Sequence, residues 1–265
     1  MTAIAVTIAG SDSSGGAGMQ ADLKTFSALG VYGASVITAL TAQSTTAVVS
    51  VHDVPAAFVA QQIDAVFSDL AVGAVKIGML SQPAVVEAVA AGLARWRQRR
   101  VVLDPVMIAT TGRRLMTADA VDVLRRVLIP RVLLVTPNLA EAAVLLDTAV
   151  AETEADMRMQ AERLLTLGPG AVLVKGGHGG GAESVDVFFD GTAELRLPAH
   201  RIATRNTHGS GCTLSAAIAA GLAKGLPLAE AVVEAKAYVT RAIAAADELA
   251  IGKGRGPVHH FAGRW

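Results

Sequence analysis

Short apolar runs rich in Val and Ile alternate along this chain with longer Ala- and Leu-rich stretches whose apolar residues recur at helical spacing. The runs Ile4 to Ala9, Ala34 to Leu40, Ala74 to Ile77, Arg100 to Leu103, Val132 to Val135 and Ala171 to Val174 predict strands. Between them, Met19 to Leu29, Ala56 to Ser68, Ala84 to Arg97, Ala118 to Val127 and Glu154 to Leu167 predict helices. Strand, helix, strand at this rhythm describes βαβ units, hence an α/β fold on a mainly parallel sheet. Ser184 to Phe189 and Ala193 to Leu197, joined by Asp190-Gly191-Thr192, predict a hairpin instead. Two Ala-rich helices follow, Thr213 to Ala223 and Leu228 to Ala246. No linker, charge block or repeat divides residues 1–265, so one domain is expected.

Composition supports this. The chain is 52% hydrophobic but only 4% aromatic, so a large core must be filled by small and β-branched side chains. The 23 basic residues equal the 23 acidic ones, and no bulk field draws the chain to nucleic acid or an anionic membrane. Basic runs at Arg95 to Arg100 and Arg125 to Arg131 end helical patterns, where cations suit the helix dipole. The single cysteine, Cys212, excludes an intramolecular disulfide. No basic-then-apolar leader opens the sequence, and no run reaches the roughly 18 unbroken apolar residues of a membrane span. A cytoplasmic protein is expected.

In open α/β sheets, ligands sit outside the carboxyl ends of the strands. Residues just after the apolar runs should therefore carry the chemistry. They are Gly10 to Gly18, Thr41-Ala42-Gln43, Gly78-Met79, Asp104-Pro105-Val106, Thr136 to Glu141, and Lys175-Gly176-Gly177-His178. Asn206 to Thr213 precedes a long apolar helix, and its two glycines, Gly209 and Gly211, free the backbone. Amide N–H groups at such a helix start form an anion site, suited to charge on a transferring phosphoryl group. The plainer reading is a loop in which Ser or Thr caps the helix.

Cys212 lies in that first turn, where the dipole is expected to lower its thiol pKa; it is either a proton acceptor or a small buried residue. Asp104 and Glu141 are either Mg²⁺ ligands or turn and helix-start acids. No His/Cys cluster has zinc-site spacing. Gly10 to Gly18 resembles a phosphate cradle but is neither a Walker loop nor a dinucleotide fingerprint; the alternative is that its backbone lines a pocket for a flat substrate. Asp22 either joins that wall or faces solvent, and Gln43 either matches a heteroaromatic ring edge or is an edge-strand polar residue. Lys175 offers a point charge for nucleotide phosphate, while His178, His208, His259 and His260 are read as loop residues.

Taken together, these segments resemble the ribokinase superfamily, and within it the hydroxymethylpyrimidine and phosphomethylpyrimidine kinase branch of thiamine biosynthesis. The resemblance runs from Gly10-Ser11-Asp12-Ser13-Ser14-Gly15-Gly16-Ala17-Gly18 to Gly256-Pro257-Val258-His259-His260-Phe261. It implies a central, mostly parallel sheet flanked by helices on both faces, and two successive ATP-dependent phosphorylations at one site. By position it implies that Gln43, Asp22, Met79 and Val106 bind the pyrimidine, and that Asp104 and Glu141 organise Mg²⁺. Lys175, Thr207 and Ser210 would meet ATP phosphates, with Gly209, Gly211 and Cys212 at the transfer centre. Cys212 falls where many sugar kinases of the superfamily carry an aspartate base, a substitution typical of this branch. Ser210 stands where the family often has Thr, and Ser44 where it often has Asn. The first keeps the hydroxyl; the second bears on substrate preference. The resemblance also implies a homodimer. Two rival functions are a pyridoxal kinase and a non-catalytic vitamin-binding protein on the same fold.

Overall fold

A computed structural model of the chain describes residues 2–108, 112, 115–177 and 179–263. Ten strands and eight α-helices are found among them. In order they are β1 (Ile4–Ala9), α1 (Gly18–Ala28), β2 (Tyr32–Ile37), β3 (Ala39–Gln43), β4 (Val48–Asp53), α2 (Ala56–Asp69) and β5 (Ala74–Ile77). Then come α3 (Pro83–Arg95), β6 (Val101–Leu103), α4 (Ala118–Val123), β7 (Leu134–Val135), α5 (Leu139–Leu146) and α6 (Glu154–Leu165). The chain continues with β8 (Val172–Lys175), β9 (Asp186–Phe189), β10 (Glu194–Leu197), α7 (Ser210–Ala223) and α8 (Leu228–Ala244). Eight strands form one sheet in the order β10-β9-β8-β7-β6-β5-β1-β2. It is parallel from β2 across to β8, and the predicted hairpin, β9 with β10, closes it antiparallel. The strand order reverses beside β1, which lies between β2 and β5 and marks the switch point where such sheets hold ligands.

Side chains alternate between the two faces of a strand, so each strand feeds two cores. Val6, Ile8, Val75, Ile77, Val101, Leu103, Val172 and Val174 pack with the layer of α2 to α6. Ala5, Ala74, Val102, Leu134 and Leu173 pack with α1, α7 and α8. Helix α7 is buried along most of its length between α1, α8 and the sheet, which requires its run of Ala and Leu. No helix among the described residues is long and apolar enough to cross a membrane.

Two predicted elements differ. The run Ala34 to Leu40 is broken at Thr38, whose N–H donates to the Ala9 carbonyl (3.1 Å) and whose hydroxyl donates to the Met79 carbonyl (2.8 Å). Beyond that pivot β3 pairs with β4 in a separate two-stranded antiparallel sheet. The expected helix Ala118 to Val127 ends as α at Val123, then passes through a π turn and a 3₁₀ turn to Arg131. Pro130 has no N–H to continue an α-helix.

Candidate active site

The two-residue strand period gathers the charged groups. Counting on from the residues that face α7, the next positions on that face are Thr7 and Lys76 in β1 and β5, then Asp104, Thr136 and Lys175 at the ends of β6, β7 and β8. Their side chains converge below the N-terminus of α7. Lys175 Nζ lies 2.6 Å from Asp104 Oδ1. A Cβ added at Gly211 would lie 3.3 Å from Lys175 Nζ and 3.7 Å from Asp104 Oδ2, so this pair lies directly against the helix start.

Gly209 caps α7 with φ +79°, a left-handed conformation suited to glycine, and no side chain caps the helix. A Cβ there would come within 1.9 Å of the Gly16 carbonyl oxygen, so the turn lies directly on the N-terminal glycine loop. The Ser210 N–H donates to the Thr207 carbonyl (3.2 Å), tightening the turn ahead of the first free amides. The plainer reading of a Ser- or Thr-capped loop is thus excluded, and the uncapped end is available to an anion.

The glycine loop is organised by Asp12. Its Oδ1 accepts from the Ser14 N–H (2.9 Å) and hydroxyl (2.6 Å), and its Oδ2 from the Gly16 (3.1 Å) and Ala17 (2.8 Å) N–H groups. His208 Nε2 lies 2.8 Å from the same Oδ2 and joins this loop to the turn before α7. Burial alone would raise the Asp12 pKa, but hydrogen bonds from His208 and Ser14 hold it at about 2. Lys24 donates to the Gly15 carbonyl (2.8 Å) from the following helix.

Cys212 is half-buried in the first turn of α7. The expected lowering of its pKa is not found: burial pushes the thiol up to about 11, against the pull of Lys76 and of the Gly18 N–H. The helix dipole is outweighed here by loss of water and by the nearby carboxylates of Asp104 and Asp22.

Glu141 stands at the third position of α5 in a capping box: its N–H donates to Asn138 Oδ1 (2.9 Å), and its Oε2 accepts from the Asn138 N–H (2.8 Å). Burial pushes its pKa up to about 7; Lys175 opposes the rise and Asp104 adds to it. Asp104 thus adds negative charge near Glu141, which a divalent cation would balance. Among the described residues no three His, Cys, Asp or Glu form a metal cage. Mg²⁺ is commonly held by one or two carboxylates, waters and substrate phosphates.

On the other side of the glycine loop, β3 docks through mutual bonds between Ser13 and the Gln43 backbone, both 2.8 Å. Gln43 is therefore on the small sheet, not at the end of a main-sheet strand; its Oε1 accepts from the Thr41 hydroxyl (3.2 Å). The Met79 methyl lies 2.6 Å from where a Gly10 Cβ would be, so loop and Met79 form one wall. Half-buried Val106 follows Asp104 in a tight turn, its N–H donating to the Asp104 carbonyl (2.8 Å). Asp22 is fully buried: Lys76 Nζ (2.8 Å) and the Thr7 hydroxyl (2.6 Å) both meet its Oδ2, so it stands behind the pocket wall, not on it.

Sequence reasoning missed Lys76, Asp12 and the burial of His208, His259 and His260. A lysine inside the apolar strand Ala74-Val75-Lys76-Ile77 was the available signal for the first. His178 lies outside the described residues.

The family model described as phosphomethylpyrimidine kinase matches residues 12–259. The chain belongs to that family. A hydroxymethylpyrimidine/phosphomethylpyrimidine kinase of Rhizobium meliloti is 64% identical over 265 residues, covering 100% of this chain and 99% of its own. The same family includes a phosphomethylpyrimidine kinase of Clostridium difficile whose solved structure is 43% identical, with a TM-score of 0.80 over 91% of this chain and 99% of its own. An ADP complex of Bacillus subtilis pyridoxal kinase shares the shape, with a TM-score of 0.91 over 100% of this chain and 99% of that one, at 35% identity. The phosphomethylpyrimidine kinase family thus accounts for the mostly parallel sheet and the ribokinase-like fold, and makes this protein a phosphotransferase.

Proposed function

We propose that this protein uses ATP to phosphorylate the hydroxymethyl group of 4-amino-5-hydroxymethyl-2-methylpyrimidine, and then phosphorylates the monophosphate to the diphosphate. One observation carries the reading. The Lys175–Asp104 pair, with Glu141 nearby in charge, lies against Gly211 in an uncapped helix start whose cap, Gly209, touches a second glycine loop. That arrangement suits anionic groups arriving in line from ATP and leaving on a small alcohol. Its relatives carry this activity in their names.

In this reading the pyrimidine lies between Gln43, Met79 and Val106, with its hydroxymethyl oxygen toward the turn. Asp22 supports that wall from behind. Thr207, the Ser210 hydroxyl and the N–H groups of Gly209, Gly211 and Cys212 hold the charge growing on the transferring phosphoryl, and Lys175 balances the phosphate oxygens. Asp104 and Glu141 would hold Mg²⁺, which when bound supplies positive charge shared by the ATP phosphate oxygens. Cys212, once its thiol has lost its own proton to solvent, receives the proton of the attacking hydroxyl as a thiolate. The working form is a cytoplasmic homodimer of a single kinase domain.

The test is a side-by-side coupled assay with hydroxymethylpyrimidine, its monophosphate and pyridoxal. The expected result is a higher kcat/KM for both pyrimidines. Pyridoxal outperforming them overturns the assignment, and its shape neighbours make pyridoxal the right competitor. Binding of the pyrimidine without ATP turnover would instead indicate a non-catalytic vitamin-binding protein.

A further inference from the structure

Lys236 of α8 and Asp186 of β9 form a buried ion pair, 2.8 Å apart, that the proposed chemistry does not use. Replacing such a pair by apolar residues of similar volume is often neutral or stabilising, so stability alone explains it poorly. Its contacts are informative. Asp186 stands opposite Lys175 in the antiparallel register of β8 and β9, so both side chains lie on the α7 face of the sheet, as Leu173 and Phe188 do two residues further along. Asp186 Oδ1 accepts from the Gly176 N–H (2.9 Å), while Oδ2 takes the Lys236 ammonium, which also donates to the Ser184 carbonyl (3.1 Å). The carboxylate therefore cannot turn without giving up a buried bond. The peptide it holds is the one directly after Lys175. The peptide before is fixed as well, because the Lys175 N–H donates to the Pro137 carbonyl (2.8 Å). A Cβ on Gly176 would collide with the Val185 carbonyl oxygen, so the chain passes tightly against the start of β9 here. Beyond Gly176 the segment has its own anchors. Arg201 donates to the carbonyls of Gly177 (2.8 Å), Gly181 (2.9 Å) and Glu183 (3.0 Å), and Ser184 and Ala199 exchange backbone bonds. What is left to Asp186 and Lys236 is the peptide joining Lys175 to Gly176.

We propose that Asp186, oriented by Lys236, is a positioning residue for Lys175. It holds the base of that side chain so that the ammonium stays 2.6 Å from Asp104 and against Gly211 at the start of α7. This rests on the proposed contact of Lys175 with the ATP phosphates. A lysine carries its charge on a flexible stem, so the charge is only as well placed as the backbone beneath it. Misplacing such a group by about 1 Å is costly where phosphate must be held in line.

Two double variants separate this role from packing. Lys236→Met with Asp186→Asn removes both charges but leaves an amide oxygen for the Gly176 N–H; Lys236→Met with Asp186→Leu removes that acceptor too. Both are titrated calorimetrically with ATP and with adenosine, which has no phosphate for Lys175 to meet. The asparagine variant is expected to bind ATP within about twofold of wild type, and the leucine variant about tenfold more weakly, the scale of one lost hydrogen bond. Adenosine affinity is expected to be unchanged in both. In a Lys175→Met background the difference between the two is expected to vanish, because no lysine is left to act through. Should the leucine variant fail to fold, Lys236→Met with Asp186→Ala carries the same expectation. Equal ATP affinity in the two variants overturns the proposal, as does a loss shared by adenosine or one that persists without Lys175. ATP affinity unaltered by Lys175→Met alone removes Lys175 from the phosphates, and the proposal with it. The positioning role fails by itself when Lys175→Met weakens ATP binding and the two double variants do not differ.

Discussion

At Gly209 two requirements meet in one residue, a φ of +79° and a Gly16 carbonyl oxygen where a side chain would start. Alanine there adds about 1–2 kcal/mol of backbone strain and must also push the two glycine loops apart. Gly209→Ala is expected to lower kcat by ~100-fold, the usual cost of misplacing reacting groups by about 1 Å. Steady-state kinetics beside a thermal melt will separate this from simple unfolding. At Cys212, a thiol held at about 11 is protonated at neutral pH in the free protein, so its proposed work begins only with substrate in place. Cys212→Ala is expected to slow the first phosphorylation by ~100-fold, in the range typical of lost acid–base catalysis. Turnover near the wild-type rate would remove the thiol from that role. Most of the residues gathered at the candidate site were legible one by one, because residues that end apolar strands are the ones a parallel sheet presents at its carboxyl edge. Lys76 was not, because a single charge inside four residues of strand carries no spacing, and only the register with Thr7 and the approach of Asp22 give it a partner.

Among the elements, α5 owes its start to the reciprocal bonds of Asn138 and Glu141, so the same contacts that begin the helix also orient a proposed metal ligand. Asn138→Ala is expected to cost about 1 kcal/mol in urea unfolding, the usual loss for an N-cap. It is also expected to raise the Mg²⁺ concentration needed for half-maximal rate, because the Glu141 N–H loses its Asn138 Oδ1 acceptor and the first turn that aims the carboxylate loosens. A change in stability with an unaltered Mg²⁺ requirement would separate cap from ligand. The strand and helix alternation of the main sheet was readable from period alone. The β3–β4 pair was not: an apolar run continues across Thr38, and only hydrogen bonds from distant Ala9 and Met79 reveal that the chain leaves the sheet there. The π turn after α4 escaped for a related reason, since its apolar positions keep a near-helical spacing while the backbone changes.

For the whole molecule, acid stability is set by groups that tie the loops together. Burial, with the charges of Lys24, His259 and His208, lowers the His260 pKa to about 4, so the folded state keeps it neutral while the unfolded chain takes up a proton below about 6.5. Stability therefore falls as pH drops from about 6.5 to about 4, by about 3 kcal/mol in all. Asp12, held at about 2, adds a second loss between about 4 and 2, where the unfolded carboxyl protonates first. Urea melts across this range are expected to show both steps, and His260→Gln is expected to erase the first; a flat profile from pH 6.5 to 4 contradicts the argument. The tail holding His260 also docks on the transfer turn. The His208 N–H donates to the Gly256 carbonyl (3.1 Å), the Gly256 N–H to Asn206 Oδ1 (2.9 Å), and the His260 ring meets the Thr213 hydroxyl (3.1 Å). A ribosome releases this chain from its first residue onward, so the glycine loop and every strand end are made long before that tail emerges. The turn before α7 gains its final support only from residues 256–260, and a nascent chain halted before them carries every proposed catalytic residue without the part that holds the turn still.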